Sequence, residues 1–310
     1  MTQSNTIKSA ADKANIVKPR RSALYMPAIN TRAMEKAQSL NADVIIFDLE
    51  DAVAPAQKDA ARELLVKQLA KSDYGPRELV VRVNGVGSPW FADDVACLKG
   101  LSNIHGVALP KVESAAEIKT SIAALTTIGL DKAVIWPMIE TPTGVFNARE
   151  IAAADPQVTC LIMGTSDLAK DLRLDVSISA SEANAIREGL LFSLSQCVLA
   201  ARESGIDILD GVCLDLANEA VLLAEIKQGR ALGFTGKTLI HPKQLALSNQ
   251  LFGINQQQLD SAREVVDAWT QAEQEGSGVV VVDGRLVEAL HVEAAQAVMA
   301  LASAIEVRGF

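Results

Sequence analysis

The sequence predicts an α/β fold, a (β/α)8 TIM barrel followed by a C-terminal hairpin and helix. Three observations lead there. Short β-branched runs alternate with longer amphipathic runs to about residue 270, the pattern of repeated β–α units. The chain is 49% hydrophobic but only 4% aromatic, so its core must be built from Val, Ile, Leu and Ala, as parallel strands covered on both faces require. Polar residues fall directly after the apolar runs, and in a closed barrel those positions gather on one rim.

The strands are predicted at Ser22–Met26, Val44–Asp48, Leu79–Val83, Gly106–Pro110, Ala133–Met138, Cys160–Met163, Leu209–Leu214 and Lys237–Ile240. Between them, Thr31–Leu40, Ala56–Leu69, Ala115–Ile128, Ser181–Ser204 and Ala217–Leu232 carry apolar residues at helical spacing. Asn30, Thr31, Ser114 and Ser181 suit N-caps, while Gly129, Gly205 and Gly233 sit where C-caps fall. Past residue 275, Val279–Val282 and Arg285–Val287 flank Asp283-Gly284, a hairpin signal, and a final helix follows from about His291 to Ile305. The predicted organisation is therefore a tail at 1–18, the barrel at 19–274, and a lid or subunit-contact segment at 275–310.

Composition narrows the function classes. A net charge of −9 argues against general nucleic-acid binding, which needs a basic surface. The four cysteines form no CxxC, so neither a zinc site nor a disulfide framework is expected, and a reducing cytoplasm fits best. No apolar block of signal-peptide length opens the chain, and no stretch of about 18 uninterrupted apolar residues follows; the expectation is a protein outside the membrane.

Several residues can carry chemistry. Glu140 and Asp167 end the fifth and sixth strands, which are neighbours in a barrel, so their carboxylates can share a hard divalent cation such as Mg2+; the bland alternative is that each caps its next helix. Asp48, Glu50 and Asp51 follow the second strand, Asp48 and Glu50 on one side of an extended chain where they can hold metal-bound water, Asp51 turned away or starting a helix. Arg82, after three apolar residues, points a guanidinium fork into the barrel mouth, either for a substrate carboxylate or for an internal salt bridge to Asp48 and Glu50. Lys111 reads as a charge partner of the carboxylates ahead of a Schiff-base lysine, and His241 as a structural residue at the rim. Neither a P-loop nor a dinucleotide fingerprint is present.

Taken in order, Arg21-Ser22-Ala23-Leu24-Tyr25-Met26-Pro27, the run Val44 to Val53, Arg82-Val83-Asn84-Gly85, Leu109-Pro110-Lys111, Ile139-Glu140-Thr141, Gly164-Thr165-Ser166-Asp167-Leu168, Gly236-Lys237 and Ile240-His241-Pro242 resemble the HpcH/HpaI aldolase and citrate lyase superfamily, in its citrate lyase β-subunit-like branch. The resemblance covers nearly the whole chain. It implies Mg2+ at Glu140 and Asp167, a substrate carboxylate at Arg82, and substrate contacts by Tyr25, Lys36, Ser166 and Asp167. Arg20 and Arg21 are expected near the entrance for the coenzyme A phosphates, and Arg32 on the solvated surface.

The activity implied is reversible carbon–carbon cleavage of an acyl-CoA such as malyl-CoA or citramalyl-CoA into acetyl-CoA and a 2-oxo acid, by a homo-oligomer, trimer or hexamer. Other readings are thioester hydrolysis, the β-subunit of a multi-subunit citrate lyase, an aldolase acting without a thioester, and a non-catalytic acyl-CoA-binding regulator. Two positions depart from the family pattern: Glu288 stands where these lyases carry a catalytic Asp supplied by a neighbouring subunit, and Ala28 where relatives often have Gly. Catalytic roles are expected for Arg82, Asp48, Glu50 and Glu288.

Overall fold

The computed structural model describes residues 17–174 and 183–309. The chain divides into two compact units, Arg20–Gly253 and a second formed by Ile254–Phe310 with the segment ahead of Arg20.

In the first unit the strands β1 (Ser22–Pro27), β2 (Val44–Asp48), β3 (Glu78–Arg82), β4 (Gly106–Leu109), β5 (Val134–Ile139), β6 (Cys160–Met163), β7 (Asp207–Asp210) and β8 (Gly236–Leu239) pair in sequence order. Every pairing is parallel, and β1 pairs β8, which closes the barrel. The helices of this unit are α1 (Thr31–Ala37), α2 (Lys58–Lys71), α3 (Phe91–Cys97), α4 (Ala115–Thr127), α5 (Pro142–Phe146), α6 (Ala148–Ala152), α7 (Thr165–Asp171), α8 (Ala183–Glu203), α9 (Glu219–Leu232) and α10 (Leu245–Phe252).

Strand residues alternate between two cores, as a period of two requires. Ala23, Val44, Ile46, Val80, Ala108, Trp136, Met138, Cys160, Ile162 and Leu209 fill the barrel interior. Leu24, Ile45, Phe47, Val81, Leu109, Ile135, Leu161 and Ile208 face outward into the larger core beneath the helices.

The caps follow the sequence. Asn30 accepts the Ala33 N–H, Ser114 forms a capping box with Glu117, and Gly129, Gly205 and Gly233 follow their helices with positive φ. Ser181 lies outside the described residues. The seventh strand is displaced from its prediction: it runs Asp207–Asp210, and Leu214 beyond it is 66% exposed. At Gly211 the chain has turned in so closely that a Cβ would stand 2.2 Å from Thr165 Oγ1 and 2.9 Å from the Met163 carbonyl. An apolar run is thus shared between strand and loop, which periodicity cannot divide.

In the second unit α11 (Gln256–Gln274) packs on α12 (Ala289–Arg308), with a hairpin of β9 (Val280–Val282) and β10 (Arg285–Val287) between them in sequence. Asp283 and Gly284 both have positive φ, as the two-residue turn of a tight hairpin demands. By length and composition α12 is apolar enough to pass for a membrane span, although it carries Glu293 and Glu306 and packs against α11.

Candidate active site at the barrel mouth

The register that sets β2 beside β3 puts Asp48 directly opposite Arg82 at the ends of their strands. The fork closes: Arg82 Nε donates to Asp48 Oδ1 at 2.7 Å and Nη2 to Oδ2 at 2.6 Å. The Asp48 oxygens also accept the N–H groups of Glu50 (2.9 Å) and Ala52 (3.1 Å), so this carboxylate is saturated within the protein. Asp48 therefore cannot hold metal-bound water. It orients Arg82 and shapes the turn that carries Glu50.

Arg82 Nη1 lies 3.0 Å from Glu50 Oε2, and the guanidinium sits 4.8 Å above the Tyr25 ring. The internal salt bridge is thus formed. Arg82 keeps an N–H over for a ligand, because the fork engages only part of its donor set. Tyr25 lies below the guanidinium, its hydroxyl 3.8 Å from Met138 Sδ, and burial pushes that hydroxyl above the usual tyrosine range. Asp51, 61% exposed, stands 3.7 Å from Arg82, and the helical run that follows opens with a 3₁₀ turn at Pro55–Gln57 whose N-cap is Ala54, so Asp51 does not start it.

Glu140 immediately follows β5 and is only 3% exposed. The cap reading does not hold for it, since Thr141 caps α5 by accepting the Gly144 N–H. Its Oε2 accepts the Lys111 N–H at 2.8 Å. Gly164 makes room on the other side: a Cβ there would stand 2.2 Å from Glu140 Oε1. Burial pushes the Glu140 carboxyl up to about 7, partly offset by Lys111 and Arg82.

Asp167 lies in the first turn of α7, a correction to its expected place at the end of β6; there the helix dipole favours an acid. Lys111 joins the cluster. Its Nζ is 3.3 Å from Glu50 Oε1 and 3.2 Å from Asp167 Oδ2, the charge-partner role expected of it. Burial opposes the ammonium, but Glu50, Glu140 and Asp167 outweigh it and hold Lys111 above the usual lysine range.

Asp48, Glu50, Glu140 and Asp167, with the exposed Asp51 at the edge, face Arg82 and Lys111, so carboxylates outnumber cations. All the available donors are hard oxygens. Among the described residues no group of three acidic, histidine or cysteine ligands converges; a hard ion with one or two carboxylates would complete its shell with water and ligand oxygens. Glu140 and Asp167 can hold such an ion.

Sequence reading missed the support behind this cluster. Lys58 Nζ donates to the carbonyls of Leu49 (2.7 Å) and Glu50 (2.8 Å) and to Asn84 Oδ1 (2.9 Å), pinning the acidic turn from behind. Asp94 Oδ2 accepts from Asn84 N and Nδ2, and its Oδ1 accepts Arg62 Nε. A lysine at the first position of a helix opposes the helix dipole, a signal that it serves something else.

The remaining expectations separate. Ser166, in the first turn of α7, and Lys36, in the last turn of α1, are exposed. His241 caps the turn at Pro242–Gln244, its Nδ1 accepting the Lys243 N–H, so its structural role stands. Glu288 belongs to the second unit, where it precedes α12 and its N–H donates to His291 Nδ1.

Arg20 and Arg21 are not at the entrance. They precede β1 and lie at the opposite, N-terminal end of the barrel. Arg20 forks onto Glu78 (2.8 and 2.9 Å) and reaches Asp207 (3.0 Å), and Arg21 forks onto Asp43. Both are buried and held by carboxylates at the starts of β3 (Glu78) and β7 (Asp207) and just ahead of β2 (Asp43), which leaves them turned away from the mouth.

The sequence pattern of the HpcH/HpaI aldolase/citrate lyase family matches residues 21–242. The chain belongs to that family. The HpcH/HpaI match contains the whole of the cluster just described. Among relatives, a (3S)-malyl-CoA thioesterase of Cereibacter sphaeroides is 44% identical, covering 94% of this chain and 97% of that protein. The citrate lyase subunit beta of Escherichia coli K12 is 33% identical, covering 97% and 99%. Among solved structures, CitE from Mycobacterium tuberculosis, in complex with magnesium, acetoacetate and coenzyme A, superposes with a TM-score of 0.71 at 32% identity over 91% of this chain and 97% of that one.

Proposed function

We propose that this HpcH/HpaI family member is a Mg2+-dependent enzyme acting on a 3-hydroxyacyl-CoA of the malyl-CoA or citramalyl-CoA type, cleaving it to acetyl-CoA and a 2-oxo acid. The observation that carries the reading is the pair Glu140 and Asp167 within a cluster whose carboxylates outnumber its cations. The solved relative in complex with magnesium, acetoacetate and coenzyme A supports the same ligand classes.

Glu140 and Asp167 would hold the cation; when bound, it supplies a Lewis acid for the oxygens of the hydroxy- or oxo-acid end. Arg82, fixed by Asp48 and stacked on Tyr25, keeps a hydrogen-bond donor in place for the substrate carboxylate. Glu50 ties Arg82 to Lys111, so the two cations stay near one another despite their repulsion. In cleavage the bond between the hydroxyl-bearing carbon and its neighbour toward the thioester breaks; the hydroxyl gives up its proton and the new acetyl methyl gains one. As the hydroxyl becomes the oxo group of the acid, the electron pair of the broken bond passes to the thioester carbonyl as an enolate, which takes its proton on carbon; the charge of the deprotonated hydroxyl starts at the acid end, where the barrel concentrates its charged groups. Operation as a homo-oligomer in a reducing cytoplasm belongs to the same proposal.

Thioester hydrolysis is the second reading, and a specific observation favours it: relatives 42–44% identical bear the name (3S)-malyl-CoA thioesterase. Hydrolysis would add water to the thioester carbonyl and expel the CoA thiolate, leaving the carbon–carbon bond intact. Incubation with malyl-CoA and citramalyl-CoA of both configurations, with Mg2+ or with EDTA, followed by mass spectrometry decides between them. Acetyl-CoA with glyoxylate or pyruvate supports cleavage; free CoA with malate or citramalate supports hydrolysis. Turnover unaffected by EDTA, or none with any of these thioesters, would sink both.

A further inference from the structure

The cluster carries a cation of its own in the place where the proposed activity needs an external one. Lys111 Nζ contacts Asp167 at 3.2 Å and Glu50 at 3.3 Å, while the N–H of the same residue holds Glu140 at 2.8 Å. One residue thus touches both carboxylates assigned to the metal. Its φ of 52° is a left-handed conformation that disfavours any residue but glycine, and in that conformation main chain and side chain reach the cluster together.

The two cations of the site differ in freedom. Arg82 is 10% exposed at its side chain and forked onto a saturated carboxylate, whereas Lys111 is 44% exposed, on a flexible stem, and held by single contacts. Asp167, 33% exposed, is also accessible from solvent. A divalent ion and an ammonium cannot both sit against the same aspartate oxygen without strong repulsion.

We propose that Lys111 is an exchangeable counter-ion: entry of the divalent cation between Glu140 and Asp167 displaces its ammonium from Asp167, and the released ammonium then faces the anionic end of the substrate. In the metal-free protein Lys111 keeps the carboxylates from repelling one another. After exchange it becomes a substrate-facing cation, which Arg82, engaged with Asp48 and Glu50, can only partly be. The inference rests on the cation-site reading above.

The test measures Lys111 directly. Full-length protein is treated with N-hydroxysuccinimidyl acetate with and without saturating Mg2+, and acetylation is quantified peptide by peptide. Lys111 should become severalfold more reactive with Mg2+ while Lys36 stays constant. Calorimetry with Mg2+ alone gives the second readout: Lys111→Gly, which keeps the N–H to Glu140 and suits the left-handed backbone, should bind the ion about tenfold more tightly because its competitor is gone. Unchanged or reduced Lys111 labelling in a wild type that binds Mg2+, or equal or weaker binding by Lys111→Gly, overturns the exchange and leaves the cation site standing. Wild-type affinity retained in Glu140→Gln instead removes the cation site, and the exchange with it.

Discussion

At the N-terminal rim of the barrel Arg20 and Arg21 fork onto Glu78 and Asp43, and Arg20 also rests 4.6 Å over the Trp136 ring; at the C-terminal rim four carboxylates share two cations. The residue types are the same at both ends, but their use differs. Below, both arginines and their main partners are buried, and each carboxylate has a guanidinium in contact, so no capacity remains for a ligand. Above, Lys111 and Asp167 are partly open and negative charge is left over. Charge at a strand end marks a site only where it is both accessible and incompletely neutralised.

Substitutions can break that contrast. The largest effect is expected at the upper rim: Glu140→Gln or Asp167→Asn should abolish calorimetric Mg2+ binding and lower turnover by at least about a thousandfold, or ~4 kcal/mol. The unfolding midpoint of Glu140→Gln should hold or rise, since a buried charge has been removed; an active, metal-binding Glu140→Gln would end the contrast. At the lower rim the order reverses. Arg20→Met removes both forked hydrogen bonds to Glu78 and should cost about 1.5–3 kcal/mol in urea denaturation, with Mg2+ affinity of the folded fraction unchanged. Loss of activity without loss of stability would show that the lower rim is not merely structural.

Arg82→Lys sharpens the comparison, because it keeps the charge but not the fork onto Asp48. About a ten- to hundredfold fall in kcat/KM is expected, and a wild-type value would remove Arg82 from the site. Per pH unit the effect of titration is smaller, about tenfold at most. The Glu140 carboxyl lies at about 7 in the folded protein, above its ordinary 4.5, so the stability tied to its protonated form is fully present below 4.5 and is lost as pH rises through about 7. Cation binding has the opposite sign, since the ion must expel that proton: affinity should climb by up to roughly tenfold per pH unit and flatten above about 7. A pH-independent Mg2+ isotherm between these limits would show that Glu140 is not a ligand.

Much of the upper rim was legible in the chain, since Asp48, Glu50, Arg82, Lys111 and Glu140 each follow an apolar run. The lower rim was open to the same rule, because Arg20 and Arg21 precede β1 and so belong to its N-terminal end; grouping them with the substrate motif obscured this. Lys58 was harder to find. Its one mark in the chain is a positive charge at a helix start, and its partners are mostly the main-chain carbonyls of a turn whose shape no periodicity describes.

The sequence alone determined the eight β–α units, their order, most of their caps and the residues gathered at the mouth, because strand and helix periods, turn chemistry and position relative to a strand end are local properties. Only the tertiary structure decided who pairs with whom. Asp48 spends itself on Arg82 across 34 positions, Arg20 on Glu78 across 58, and Glu50 and Asp167, on opposite sides of the mouth, meet through Lys111. Those choices depend on barrel closure and strand register, which bring distant carboxylates and cations within a few ångströms and leave their surplus charge at one end alone.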